Sequence, residues 1–406
     1  MKTIFLCCAL VVLVVAFLAS QKEITYGSGD KHPSGSSYTQ EGAPNASAQP
    51  EGVFPIDVSW LSPLFIDVRV NETPPMRFIL DSASTYSMIR KKEAEALGLK
   101  TKSSTTLSGG RGEFRMDFAN ANLQVGNMKL SGVQLGVTDL SPAYTGILGD
   151  DLFESHVVTI DYETGKVSVF DPGTFRAPLH GIRVPVNIRG RIPGIEASLR
   201  YGGKTATGEF RIDTGSGAAI TLHHPFAKQN SFPPPGAPTQ SSQTTALGGT
   251  APWVKARATS VQIGPMEFDD PIVEAYATSR GAGGGTVLAG MIGNEILRRF
   301  RVTFDCPHQQ MFFESNAMRN KPFEVDMSGL GFGPSYSIFS VAHDSVAEKA
   351  GLKVSDVITK LDGKPVEQYG LAGAHDQLMR DGAKCEVEIR RGEELFRATL
   401  QLKRLL

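Results

Sequence analysis

The chain has 406 residues, of which 41% are hydrophobic and 20% are charged, which is typical of a globular protein with two or three domains. Its formal net charge of -1 gives no basis for electrostatic binding to nucleic acid or to an anionic membrane. The 43 glycines and 24 prolines favour turn-rich β structure over helical bundles.

The N-terminus has the pattern of a targeting signal. Residues 1–20 begin with a lysine at position 2 and continue as an apolar run from Ile4 to Ala19, which is typical of a signal peptide and short for a membrane span. We therefore expect export to the periplasm or the cell exterior. An uncleaved membrane anchor is the alternative, because Leu18 is bulky for a cleavage site. Residues 21–52 are polar and predict a disordered spacer, with order beginning near Val53.

The next 260 residues contain an internal repeat. Four landmarks occur twice in the same order, at offsets of 132, 139, 138 and 144 residues. Preserved order with small insertions indicates a tandem duplication, with copies at residues 53–172 and 181–315. The paired landmarks are Phe78–Ser84 with Phe210–Ser216, Thr105–Gly110 with Thr244–Gly249, Gln124–Gly126 with Gln262–Gly264, and Gly146–Gly149 with Gly290–Gly293.

Each copy is predicted to be mainly β, because short apolar runs alternate with polar residues and end at turn residues. Short helices are expected at Arg90–Leu97 and Asp150–Ser155. Residues Gly281–Gly285 are similar to a phosphate-binding loop, but no Lys-Ser/Thr follows, so a flexible loop is predicted.

Residues 322–404 predict a third unit of strands and two short helices. The first helix ends at Gly351 and the second spans Leu371–Met379. A tight Asp362-Gly363 turn and two closing strands, at Glu386–Arg390 and Leu395–Leu402, complete the pattern.

The repeated aspartates, Asp81 and Asp213, are the candidate catalytic residues. Two carboxylates held close together cannot both ionise easily, so they share one proton. The ionised member can take a proton from water while the protonated member donates to a carbonyl oxygen. A duplicated chain is the simplest way to place two equivalent aspartates face to face.

The three residues after each aspartate fit that chemistry. We expect the first, a hydroxyl residue, to hydrogen-bond to the facing loop, and the second, a small residue, to let substrate backbone approach. We expect the third, a serine, to donate to the carboxylate and favour its charged form. These supporting residues are Ser82, Ala83 and Ser84 in the first copy, and Thr214, Gly215 and Ser216 in the second.

The Asp213-Thr-Gly-Ser216 sequence, with Gly290–Gly293 downstream, resembles the aspartic protease signature. The size of the copies is similar to retropepsin-like domains. The resemblance implies two retropepsin-like acid-protease β-barrel lobes in a pseudo-twofold arrangement, with hydrolysis of a peptide or protein substrate by the Asp81/Asp213 dyad. It also implies hairpin flaps over the cleft. Their tips would lie near Gly109 and Gly110, and near Gly248 and Gly249.

The first copy departs from the family pattern at Ala83, where a glycine is expected. The resemblance implies that the Ala83 methyl group lies where substrate backbone should pass, and that glycine is expected there for backbone geometry. This favours an alternative function, a catalytically impaired peptide-binding or scaffold protein. A further alternative, in which each copy pairs between chains, is disfavoured by the short linker at residues 171–180.

The third unit resembles a PDZ domain, a β-sandwich with two short helices. The matching residues are Ala347–Leu352 and Asp356–Ile358, together with a loop whose backbone N–H groups would bind a peptide C-terminus. The alternative for this loop is a plain glycine-rich turn. The loop consists of Gly329, Leu330, Gly331 and Phe332.

The remaining candidates indicate structural roles. Asp161 and Asp305 also repeat, but each ends a strand and predicts a turn. His223-His224 predicts a strand cap, and no CxxC or HExxH pattern points to a metal, so no cofactor is expected. Cys306 and Cys385 lie in different predicted domains and do not indicate a disulfide framework. We expect a monomer.

Overall fold

Strands dominate the chain, as the mainly β prediction requires. The computed structural model describes residues 49–58, 63–109, 112–279, 281–333, 335–404 and 406. The predicted signal peptide, the spacer up to residue 48 and the flap residue Gly110 lie outside the described residues. Within the described part, no helix has the length and apolar character needed to cross a membrane.

The first ten strands include both alternating strands and strands that are buried almost throughout, such as the eighth and the ninth. In the second strand, Ile66, Val68 and Val70 are buried while Asp67 and Arg69 are exposed, so one face packs on the core. The strands are β1 Gly52–Pro55, β2 Phe65–Val70, β3 Met76–Leu80, β4 Met88–Arg90, β5 Ser103–Ser108, β6 Glu113–Val125, β7 Met128–Thr138, β8 Gly146–Leu148, β9 Val157–Asp161 and β10 Lys166–Phe170.

The next thirteen strands follow residue 181. They are β11 Ile182–Pro185, β12 Asn187–Arg189, β13 Ile192–Tyr201, β14 Lys204–Ile212, β15 Ile220–Leu222, β16 Gln240–Ala246, β17 Gly249–Arg257, β18 Ser260–Ile263, β19 Met266–Asp269, β20 Ile272–Tyr276, β21 Gly290–Ile292, β22 Phe300–Asp305 and β23 Gln310–Ser315.

Two of the sheets have the same central arrangement. The seven-stranded sheet, here the first sheet, has the order β2-β3-β8-β4-β7-β6-β5. The ten-stranded sheet, here the second sheet, has the order β16-β17-β20-β15-β21-β14-β13-β18-β19, with β12 on β13. In both, the central four strands (β3-β8-β4-β7 and β14-β21-β15-β20) pair as parallel, antiparallel and parallel. Strands β3 and β14 lead to the two aspartates.

A six-stranded sheet, here the shared sheet, joins strands from both halves of this region in the order β1-β10-β9-β22-β23-β11. Its central pair is antiparallel, with Ile160 opposite Val302. The hydroxyls of Thr159 and Thr303 are 2.9 Å apart and buried, so they form a hydrogen bond across this pair. The halves are therefore connected by backbone pairing as well as by side-chain packing.

The helices are short. They are α1 Lys91–Ala96, α2 Asp150–Phe153, α3 His224–Gln229, α4 Asn294–Leu297, α5 Val346–Lys349 and α6 Gly370–Leu378, with 3-10 turns at Gly281–Gly284, Cys306–His308 and Val366–Gln368. Helices α1, α2, α5 and α6 lie close to the positions predicted from the sequence, whereas α3 was not predicted. The loop predicted at Gly281–Gly285 thus contains a 3-10 turn. His223 directly follows β15 and occupies the N-cap of α3.

The C-terminal strands form a two-stranded sheet (β24 with β25) and a four-stranded sheet in the order β27-β26-β28-β29. Asp362 and Gly363 have φ of 47° and 77°, which is the conformation of a type I′ hairpin turn. Cys306 and Cys385 are buried free thiols. The strands are β24 Leu330–Phe332, β25 Ile338–Val341, β26 Val357–Leu361, β27 Lys364–Pro365, β28 Lys384–Arg391 and β29 Glu394–Gln401.

Candidate active site

The two aspartates occupy equivalent positions at the ends of β3 and β14. The N–H of Asp81 donates to Leu148 O on the parallel neighbour β8, at 2.9 Å. The N–H of Asp213 donates to Ile292 O on the parallel neighbour β21, also at 2.9 Å. Each acid is therefore fixed by the end of a buried strand pair, which holds its backbone rigidly.

The hydroxyl residues after the acids connect the two loops. The N–H of Ser82 donates to Thr214 Oγ1 (3.0 Å), and the N–H of Thr214 donates to Ser82 Oγ (3.2 Å). In turn, Ser82 Oγ donates to Ile212 O (2.8 Å) and Thr214 Oγ1 donates to Leu80 O (2.7 Å). Both side chains are fully buried, so these four bonds hold the two aspartates in one fixed arrangement.

The carboxylates meet beside Gly215. A methyl group at this glycine would lie 2.7 Å from Cγ and Oδ2 of Asp81 and 3.1 Å from Oδ1 of Asp213. Because one point is this close to both carboxylates, Asp81 and Asp213 form a pair. The φ of Gly215 lies outside the left-handed region, so its backbone conformation does not by itself require glycine. The residue must be small because the Asp81 carboxylate occupies the adjacent space.

Burial controls the protonation of the pair. It raises the pKa of Asp81 and of Asp213, and the negative charge of Asp81 raises the pKa of Asp213 further. The N–H of Ala83 donates to Asp81 Oδ1 at 2.8 Å, and the N–H of Gly215 donates to Asp213 Oδ1 at 2.9 Å. These two hydrogen bonds and the positive charge of Arg211 lower the pKa values of both aspartates. Such a pair retains one proton to a higher pH than an exposed carboxyl group.

The serines at the third position do not make the predicted contact. Ser84 Oγ donates to Tyr86 O at 2.9 Å, and Ser216 Oγ accepts from the N–H of Ala218 at 3.3 Å. The expectation that these hydroxyls donate to the carboxylates is therefore wrong, because each has a nearer backbone partner. The backbone N–H groups of Ser84 and Ser216, by contrast, lower the pKa of the acids.

Gly149 and Gly293 must be glycine because each packs closely against a loop that follows one of the two aspartates. A methyl group at Gly149 would lie 2.5 Å from Ser84 O, and one at Gly293 would lie 2.5 Å from Ala218 O. Any side chain there would push the loops out of position. The last glycine of each Gly-X-X-Gly sequence thus supports the site because the lack of a side chain allows it to pack closely against the loop that follows the aspartate.

The residues after these glycines differ between the halves. Asn294 Nδ2 donates to Thr214 O at 2.7 Å, while its Oδ1 accepts from the buried Tyr162 hydroxyl at 2.8 Å. The equivalent residue in the first half, Asp150, is fully buried, and Arg191 Nε lies 2.8 Å from its Oδ2. Burial raises the pKa of Asp150 to about 7 despite the positive charge of Arg191.

The two predicted flaps are hairpins whose tips meet. They are formed by β5 with β6 and by β16 with β17. A methyl group at Gly109 would lie 2.4 Å from Leu247 O, and one at Gly112 would lie 2.4 Å from Gly248 O. Gly248 and Gly249 have φ of 88° and 117°, which only glycine adopts readily. The hairpins therefore cross in close contact.

The glycine-rich loop of the C-terminal unit is folded against its neighbours. A methyl group at Gly329 would lie 2.3 Å from Ser345 Cβ, and Gly329 has φ of 79°. The N–H groups of Ser328 and Gly329 donate to Asp326 Oδ1, and the N–H of Leu330 donates to Ser328 Oγ at 3.0 Å. These three N–H groups are therefore satisfied within the chain.

The other members of this loop lie on β24. Phe332 stacks on His375 of α6, with ring centroids 4.0 Å apart and planes at 10°. Gly331 pairs with Ser340 of β25. These loop residues are thus part of the two-stranded sheet, and Phe332 packs this sheet against α6.

Two residues near the dyad have no counterpart in the sequence-based prediction. Arg211 lies two residues before Asp213, and its positive charge lowers the pKa of both acids. Tyr144 is partly buried, and burial together with the charge of Asp81 raises its pKa. The position of Arg211 could have been inferred, since residues two apart on a strand point to the same face.

One group among the described residues has the spacing of metal ligands. His343, Asp344 and Glu348 offer ligand atoms within 4.8 Å of one another, and all three are exposed. They lie in the C-terminal unit, and the hydrolytic chemistry of an aspartate pair requires no metal.

Comparisons with known proteins find one family model and solved structures that are similar to this chain. Residues 66–152 match the family model for aspartyl protease, a segment that contains Asp81. An aspartic proteinase from Irpex lacteus is 13% identical in an alignment that covers 66% of this chain and 97% of that protein, with a TM-score of 0.41. Among curated proteins, none matches this chain. The segment around Asp81 is thus similar to the aspartyl protease family, and this similarity supports a peptidase.

Proposed function

We propose that the chain is an aspartic endopeptidase in which Asp81 and Asp213 activate one water molecule. The observation that carries the proposal is a set of four buried hydrogen bonds, two between Ser82 and Thr214 and two from their hydroxyls to the carbonyls of Ile212 and Leu80, which holds the two carboxylates together. A structural turn aspartate would not need a second buried carboxylate beside it, because burying two acids is costly.

The reaction follows from one proton shared by the pair. The ionised carboxylate takes a proton from water as the water oxygen bonds to the substrate carbonyl carbon, and the protonated carboxyl donates to the carbonyl oxygen. When the tetrahedral intermediate breaks, the protonated carboxyl donates its proton to the leaving nitrogen and the other carboxylate takes a proton from a hydroxyl of the intermediate, so the C–N bond is cleaved and the new carboxyl C=O forms. The pair again holds one proton, so the cycle is closed without a cofactor.

The proposal includes two protease lobes, at residues 53–172 and 181–315. It is supported by the identical order and direction of the four central strands in the first and second sheets. Residues 1–20 support export, with an uncleaved anchor as the alternative. We expect a monomer, because both acids come from one chain.

The proposal also assigns residues 322–404 as a PDZ domain that binds peptide C-termini. Loop residues Leu330–Phe332 form β24, and β24 packs on helix α6 through the stack of Phe332 on His375. A strand beside a helix supports the binding of a peptide as an added strand. Binding of a free C-terminal peptide, with loss of binding when its carboxylate is amidated, is the expected result in a calorimetric titration. Equal binding of both peptides would contradict carboxylate recognition.

The test of the protease proposal uses the mature full chain and its Asp213→Asn variant. Both are incubated with an unfolded protein from pH 3 to 8, and products are identified by mass spectrometry. The wild type should cleave, the variant should lose at least about 100-fold in rate, and a pepstatin-class inhibitor should bind the wild type. Equal cleavage by both chains would refute the dyad assignment.

A second function, binding of peptides without turnover, is favoured by one observation. Ala83 carries a methyl group at the position equivalent to Gly215, where the second half has no room for one. If the wild type binds peptides but does not cleave them, and Ala83→Gly restores cleavage, this second function is the correct one.

A further inference from the structure

Strand register aligns two sets of side chains beside the dyad. Residues that are register partners on neighbouring strands point to the same face of a sheet, and the residue two before each acid shares the face of that acid. We call these sets the first row and the second row. The first row is Phe65, Ile79, Ile147 and Met88, and the equivalent second row is Gly194, Arg211, Met291 and Thr221.

The first row is apolar and lies beneath the hairpins. All four side chains are buried in one cluster with Met116, Phe118 and Leu140. Leu107 and Phe114 of the first hairpin and Leu247 of the second pack against this cluster. This face of the first sheet is therefore apolar beside Asp81 and is covered by side chains of both hairpins.

The second row carries a cation at the equivalent place. Arg211 replaces Ile79, and its register partner is Gly194 instead of Phe65. The space beside Gly194 is occupied by Glu209, whose Oε1 would lie 2.9 Å from a methyl group there. Glu209 is itself paired with Arg189 at 2.7 Å. The two halves of the site thus differ in charge and in shape at matched positions.

Arg211 has unused binding capacity. In the described part of the chain its Nε is buried and has no hydrogen-bond partner. Burial lowers the pKa of Arg211, which is opposed by the negative charges of Asp213 and Asp81. A buried donor without a partner costs about 1–3 kcal/mol, so a carboxylate that arrives there gains more than it would in water.

The next carboxylate along the second row does not neutralise Arg211. Glu274 is the register partner of Thr221, and its Oε1 lies 2.8 Å from Lys255 Nζ. Lys255 also lies over the ring of Trp253. Glu274 is therefore engaged with Lys255 on the far side of the row.

We propose that Arg211 binds the carboxylate of an aspartate or glutamate side chain in the substrate, within two residues of the scissile bond, while the first row receives an apolar side chain on the other side. Arg211 lies two positions before Asp213 along the strand, a distance of about 6–7 Å, which is about two residues of an extended peptide. The inference rests on the proposed protease function and names the substrate class of the same site.

The guanidinium group is suited to this ligand. Its planar fork matches a carboxylate with two parallel N–H bonds, and charge-assisted bonds are about twice as strong as neutral ones. We expect glutamate to be preferred over glutamine at this position by at least about tenfold in kcat/KM, since a charged hydrogen bond contributes about 1.5–3 kcal/mol.

The experiment first defines cleavage sites with the mature full chain and a mixture of peptides by mass spectrometry. Two peptides are then made that differ only by Glu or Gln at the acidic position, both amidated at the C-terminus to exclude binding of a terminal carboxylate. The ratio of their kcat/KM values is measured at pH 6 for wild type, Arg211→Gln and Arg211→Ile. Arg200→Gln, at an exposed position on β13, is the matched control.

The expected ratio is at least about 10 in wild type and in Arg200→Gln, and close to 1 in both Arg211 variants. The ratio is an internal comparison, so an equal loss of activity toward both peptides does not change it. A wild-type ratio near 1, or a ratio unchanged by the Arg211 variants, overturns the inference.

If the wild type cleaves no peptide, the protease proposal fails and binding decides the inference separately. The same Glu and Gln peptides are titrated into wild type and Arg211→Gln by calorimetry. Tighter binding of the Glu peptide that depends on Arg211 supports the acidic subsite without catalysis. Equal affinities overturn it. Circular dichroism and thermal unfolding establish that each variant is folded.

Discussion

Replacing Gly215 with alanine tests whether the space between the carboxylates determines activity. The new methyl group would lie 2.7 Å from Cγ of Asp81, whereas carbon atoms in contact are normally about 3.5–4.0 Å apart. The Asp81 carboxylate must therefore move by about 1 Å. The backbone of Gly215 is outside the left-handed region, so the effect of alanine is steric at the carboxylate.

The size of the effect follows from this displacement. Misplacing a reacting group by about 1 Å costs on the order of 100-fold in rate, which is about 2.7 kcal/mol in activation free energy. The hydrogen bonds between Ser82 and Thr214 do not involve the substituted atom. We therefore expect kcat to fall about 100-fold while the folded structure is retained.

The assay measures kcat and KM with a fluorogenic peptide chosen from the mapped cleavage sites. Ala83→Gly is the matched variant, because it removes a methyl group at the equivalent position. It should not lower kcat. A Gly215→Ala protein with kcat within about threefold of wild type would refute the steric argument.

Three further predictions concern stability and pH. Thr214→Val leaves Leu80 O and the N–H of Ser82 without their partners. The free energy of unfolding, measured by urea denaturation, should therefore fall by about 2–4 kcal/mol. Thr214→Ser should restore the wild-type value, and an unchanged value for Thr214→Val would contradict the role of these bonds. Burial raises the pKa of Asp150 from 3.8 to about 7, so the native state binds more protons than the unfolded state in this window and stability falls as pH rises. As pH rises from 4 to 7, the free energy of unfolding of Asp150→Asn should therefore increase relative to that of wild type, by up to about 4 kcal/mol. A difference between the two proteins that does not vary with pH would contradict this. Burial raises the pKa values of both dyad aspartates, so cleavage should continue towards neutral pH. The positive charge of Arg211 lowers the same pKa values, so Arg211→Gln should shift both limbs of the pH profile of kcat/KM to higher pH. A shift to lower pH would refute this electrostatic role of Arg211.

The sequence was sufficient to predict the parts of the structure that depend on local pattern. Apolar alternation predicted the strands, and the Asp362-Gly363 pair predicted a tight turn that the structure contains. The repeat pointed to Asp81 and Asp213 as a pair, because two matched motifs in order imply two matched positions. The structure brings both acids to the same point beside Gly215.

The parts that could not be predicted depend on three-dimensional neighbours. Ser84 and Ser216 were expected to donate to the acids, but each hydroxyl has a closer backbone partner that no sequence pattern reveals. Arg211 was visible beside Asp213, yet its significance depends on the strand register that places Gly194 opposite it. The contact between the hairpin tips likewise joins segments more than 130 residues apart, such as Gly109 and Leu247.

The shared sheet has a consequence for how the site responds to dilution. Strands β9 and β22 pair through four register partners, and the Thr159–Thr303 hydrogen bond lies within that pair. The meeting of the two carboxylates is therefore an intramolecular event, whose equilibrium does not contain the protein concentration. A site assembled from two separate chains disappears as those chains dissociate at low concentration. Here the two acids remain together in a single molecule at any dilution that leaves the chain folded.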